Sequence, residues 1–107
     1  MRIRINVLSL HYTNTTKEME RKIYKYALEV NESQVLMIPD EAEILSVQMQ
    51  DGSPKLWALL DTAAAGLSER KILIFGTGNI IPEGNFKFIS TFQMREGRLV
   101  FHVFEKI

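Results

Sequence analysis

Apolar and polar residues alternate with a period of two through most of this chain. That period belongs to strands whose two faces meet different surroundings. Ile3, Ile5 and Val7 alternate with Arg2, Arg4 and Asn6. From Lys22 to Val30 the residues Tyr24, Tyr26, Leu28 and Val30 share a face, with Lys25 and Glu29 opposite. Asn31-Glu32-Ser33 turns the chain into the apolar run Gln34–Ile38, which Pro39-Asp40 stops. Leu45, Val47 and Met49 then alternate with Ser46, Gln48 and Gln50. Asp51-Gly52 supplies turn chemistry, lengthened by Ser53-Pro54, before Lys55–Leu60 returns.

The pattern breaks at Asp61–Arg70, where Ala63-Ala64-Ala65 favours a helical turn and Gly66 would end it, so one short helix is predicted near 62–69. His11–Glu20 reads as a loop or a short helical turn. Lys71–Phe75 is a compact strand entering Gly76-Thr77-Gly78-Asn79. Phe86, Phe88, Ser90, Phe92 and Met94 alternate with Lys87, Ile89, Thr91 and Gln93, and Arg95-Glu96-Gly97-Arg98 turns this segment into Leu99–Glu105. The whole predicts an all-β fold, a single small antiparallel β-sandwich or open barrel of about seven to eight strands. Residues 1–107 read as one domain, with 1–18 an accessory N-terminal strand and 21–107 the core.

Thirteen basic and thirteen acidic side chains cancel, so no net field draws the chain to nucleic acid or an anionic bilayer. Without cysteine it has no disulfides, thiolate chemistry or common structural zinc sites, which favours a reducing compartment, the cytoplasm. No run approaches the roughly 20 apolar residues of a spanning helix. No cofactor or metal motif is present.

Gly76-Thr77-Gly78-Asn79 follows a strand, and a glycine-rich turn can aim backbone N–H groups at a small anion. It lacks the third glycine and following helix of a dinucleotide site, and a bulge or turn needing positive φ is the favoured reading, with anion or ligand binding the alternative. His102 lies on the face opposite Leu99, Phe101 and Val103, with Glu105 on the other side of the strand. It reads as an ordinary strand histidine, and as a general base only if the fold supplies a partner. Trp57, the one tryptophan, reads chiefly as a core anchor, with a binding surface as the alternative. Phe86, Phe88 and Phe92 read as core rather than a base-stacking platform, and Asp40, Glu41 and Glu43 as a solvated turn.

The segments Lys22-Ile23-Tyr24-Lys25-Tyr26, Ala42-Glu43-Ile44-Leu45-Ser46-Val47-Gln48 and Leu56-Trp57-Ala58-Leu59 resemble a family of short phage and prophage proteins of unknown function. The likeness continues through Ile74–Gly78, Phe88–Gln93 and Leu99–Glu105, spanning residues 21–107. The resemblance implies a phage accessory protein in the host cytoplasm and carries no catalytic residues. Three readings follow. The first is a non-catalytic binding protein in counter-defence or host takeover, holding a host protein or sequestering a nucleotide-like, small anionic ligand. The second is a structural module that homo-oligomerises through a sheet edge. The third is a small enzyme using His102.

Overall fold

A computed structural model describes residues 19–107; the strand predicted within residues 1–18 lies outside the described residues. Seven strands follow one another: β1 (Arg21–Ala27), β2 (Ser33–Pro39), β3 (Glu43–Gln50), β4 (Ser53–Asp61), β5 (Leu67–Gly76), β6 (Phe86–Met94) and β7 (Leu99–Lys106). They form two antiparallel sheets, ordered β1-β4-β3 and β2-β5-β7-β6. The alternation read from sequence becomes burial. Leu56, Ala58 and Leu60 of β4 meet Ile72 and Ile74 of β5, Val103 of β7 and Phe92 of β6 in one apolar layer between the sheets.

One side of the sandwich closes where β3 meets β6. The Val47 N–H donates to Ser90 Oγ across that corner at 2.9 Å, and both residues are buried. Ser90→Ala would leave a buried N–H without an acceptor. It is expected to cost about 1–3 kcal/mol, read as a lower urea midpoint with an unchanged m-value.

Asp51-Gly52 makes a two-residue turn, with Gln50 paired to Ser53 and φ of 53° and 81° at the two turn residues. Both angles suit a type I′ turn, so Ser53 and Pro54 belong to β4 and do not lengthen the loop. The helix predicted near 62–69 does not form. Asp61 instead accepts the Ala63 N–H on its side chain (2.9 Å) and the Ala64 N–H on its carbonyl (3.0 Å). Three alanines cannot offset helix nucleation when Leu67–Leu73 can pair along the whole of β2. The second predicted strand ends at Ala27; Leu28 is buried, and Val30 lies exposed in the following bend.

The sharpest departure from simple alternation is in β6. A bulge at Ile89 shifts the register between Phe88, opposite Phe104, and Ser90, opposite Val103. One extra residue exchanges the faces on either side of it. Phe92 therefore points inward at 3% exposure, while Phe88 points outward at 54%. The single core face predicted for Phe86, Phe88 and Phe92 is thus split in two.

Candidate functional site

β5 and β6 flank β7 and run parallel to each other. Gly76 is level with Phe101, whereas Phe86 is level with Lys106. The 77–85 link must carry the chain past β7, and it starts with the glycine turn. Gly78, at φ of +90° with open space around its α-carbon, is a glycine for conformational reasons. The Thr77 N–H donates to the Val100 carbonyl (3.1 Å), and the Asn79 N–H folds back to the Gly76 carbonyl (3.1 Å). Two of the turn's amides are therefore committed inside the protein. A cavity of about 280 Å³ adjoins the turn, lined by Asn79, Ile80, Phe75 and the carboxylate-bearing Glu32.

Beside the turn, His102 projects from the outer face of the larger sheet, opposite Phe75 on one side and Thr91 on the other. Its Nε2 meets Thr77 Oγ1 at 2.7 Å and its Nδ1 meets Thr91 Oγ1 at 2.9 Å. Both ring nitrogens are thus occupied by hydroxyls, which can donate or accept as the tautomer requires. The structure brings Gly76, Thr77, Gly78, Asn79 and His102 together and adds Thr91. Trp57 is elsewhere. It stands half-buried on the outer face of the smaller sheet, paired with Lys25 and Ser46. The core reading of Trp57 is corrected by β4 itself, whose inward residues are Leu56, Ala58 and Leu60.

On the same outer face as His102, the bulge in β6 assembles four aromatic rings. Phe104 meets Phe88 edge-on at 5.5 Å between centroids and Phe86 at 6.4 Å; Phe75 lies 6.0 Å from Phe104 and 6.5 Å from Phe86. Sequence reasoning missed this cluster because alternation assigned Phe86 and Phe88 inward. The inward face of the same sheet holds a second unpredicted feature. The Arg70 guanidinium grips the Glu105 carboxylate through Nε and Nη2, and its Nη1 donates to the Ala42 carbonyl at 2.7 Å. Hydrogen bonding to Glu105 raises the Arg70 pKa above its already high ordinary value, against the opposing effect of burial, so the guanidinium stays charged.

A cavity of about 660 Å³ lies between the β2–β3 and β4–β5 turns and carries Asp40, Glu41, Glu43 and Asp61. Asp40 accepts the Ser68 hydroxyl at 2.5 Å, and Asp61 accepts the N–H groups of Glu20 and Ala63, so these two carboxylates fasten turns. Among the described residues, no three His, Asp or Glu side chains are grouped to hold a metal ion. No helix among them is long and apolar enough to cross a membrane.

A family model described as a domain of unknown function, DUF7352, matches residues 19–107. The chain belongs to the DUF7352 family. The match begins two residues before β1 and takes in every described strand of the DUF7352 domain, including the aromatic cluster and the glycine turn. No curated protein and no solved structure matches the chain.

Proposed function

We propose that this DUF7352 domain is a non-catalytic binding protein that docks a protein partner on the aromatic outer face of its larger sheet. The observation carrying this reading is Phe88. A bulge turns a large apolar ring outward at 54% exposure, onto a platform of Phe104, Phe86 and Phe75. Such rings supply much of the energy of protein interfaces, whereas burying them inside would have required only an unbroken strand. A small anion is the weaker fit at the adjoining turn, since two of its amides are already bonded and Glu32 would repel negative charge. The His102 ring nitrogens meet threonine hydroxyls and not a carboxylate, which supports binding over general-base chemistry. The resemblance to phage accessory proteins supports a host protein as the partner.

The test compares affinity capture from an extract of the native cell by the wild-type chain and by Phe88→Lys. The expected result is a protein held by the wild type and lost by the variant, with the variant still folded and melting only about 4–8 °C lower. A mixture of phosphorylated and cyclic nucleotides is expected to leave the melting temperature unchanged. Equal capture by both chains, or a melting temperature raised by a nucleotide, would overturn the reading.

A further inference from the structure

Among the described residues, two strands end the sheets without a further partner, β1 and β2, and they are guarded very differently. β1 carries Arg21, Lys22 and Lys25; β2 carries no charged residue. Natural edge strands are usually blunted by charge, because their unpaired N–H and C=O groups are a template for another strand. The backbone identifies which groups those are. The Ile74 N–H bonds to the Glu32 carbonyl (3.2 Å) and the Asp40 N–H to the Gly66 carbonyl (3.0 Å), so the even-numbered residues of this stretch face β5. Alternation leaves the N–H and C=O of Ser33, Val35 and Met37 on the open side. The side chains of Val35 and Met37 are 53% and 50% exposed.

We propose that two copies of this chain pair through β2, antiparallel about a two-fold axis at Val35, joining their larger sheets into one. The inference is independent of the proposed function, because β6, which holds Phe88, is at the opposite end of the same sheet. The strand is self-complementary in this register. Val35 meets its own copy, Ser33 meets Met37 and Met37 meets Ser33, which satisfies every open N–H and C=O of those three residues. Pairing also stops by itself. The Asn31 N–H is already bonded to Glu29, and Pro39 has no N–H and gives its carbonyl to Ala42. A register centred on Leu36 would set Glu32 against Asp40 and Ser33 against the missing donor of Pro39. The same operation on β1, centred on Ile23, would set Arg21 against Lys25, a like-charge pair. Like charge therefore counts against that β1 register, whereas the Val35-centred register of β2 sets no two charged residues of the strand opposite each other.

The wild-type chain, residues 1–107, is expected to sediment as a dimer. Val35→Lys sets two ammonium groups face to face on the axis and is expected to weaken dimerisation at least about tenfold, since juxtaposed like charges at an interface are strongly disfavoured. Ile23→Lys, at an exposed position on the other edge, is expected to leave the dimer intact. Since the chain has no cysteine, single thiols report the register. In Val35→Cys the paired α-carbons lie about 5.5 Å apart, within disulfide range, and oxidation is expected to link the copies. In Met37→Cys the two positions are offset by roughly 13 Å along the strand and no link is expected. A monomeric wild type, a dimer indifferent to Val35→Lys, or linking at position 37 and not at 35 would each overturn the proposal. If the wild type is monomeric and Val35→Lys also lowers its melting temperature, another part of the same chain occupies the edge.

Discussion

Arg70→Met is expected to destabilise the fold by about 3 kcal/mol, because it leaves the Glu105 carboxylate buried without its counter-ion. Glu105 is 7% exposed and sits on the inward face of β7 beside Ile72. Its charge is tolerable there because Arg70 supplies two hydrogen bonds and the compensating charge. In a domain of this size the loss should lower the melting temperature by at least about 10 °C. The double variant Arg70→Met, Glu105→Leu separates two effects. It removes both charges, so most of the loss should be recovered; about 1 kcal/mol should remain, for the Ala42 carbonyl that Arg70 no longer satisfies. Chemical denaturation of the three proteins measures all of this. A single variant as stable as the wild type would show that water reaches Glu105.

Phe92→Ala and Phe88→Ala are expected to differ by several-fold in their cost, although both remove a phenyl ring from β6. Phe92 is buried against the core and stacks on Phe101 with centroids 5.4 Å apart. Emptying that space should cost about 3–5 kcal/mol. Phe88 keeps half its surface in water, so its removal loses chiefly the edge-on contact with Phe104, about 1 kcal/mol. An unbroken strand would make the two losses similar. The comparison, again by urea denaturation, therefore measures the consequence of the bulge at Ile89.

These two pairs also mark where sequence reading succeeded and where it stopped. Period-two alternation was enough to give an all-β chain and the outward position of His102, because each depends on a residue's neighbours within one strand. The Asp51-Gly52 turn was legible for the same local reason. What alternation could not give was an interruption of itself. Nothing in Phe88-Ile89-Ser90 announces an extra residue in the ladder, since a bulge is defined by the partner strand. The outward aromatic cluster was lost with it. Trp57 was misplaced because a large apolar side chain was weighed by its chemistry and not by its parity with Leu56 and Ala58. The Arg70–Glu105 pair had left a trace. Glu105 shares parity with Leu99, Phe101 and Val103, and an acid on an apolar face calls for a buried cation. The sequence could not say which of thirteen basic side chains would answer. The glycine turn was found, but not its internal bonding, which depends on Val100 lying alongside.

The strand order has a bearing on how the molecule is made. β1, β3 and β4 have all emerged from the ribosome once Asp61 is out, so the smaller sheet can assemble early from neighbouring segments. β5 can then zip onto β2, but its other margin waits for β7, and the Arg70 cation is synthesised well before the acid that neutralises it. Ile72 and Ile74 are left uncovered on that side through the intervening stretch of translation. Nascent chains of this protein thus pass through an interval of sticky, half-finished sheet, and chaperone demand should peak there.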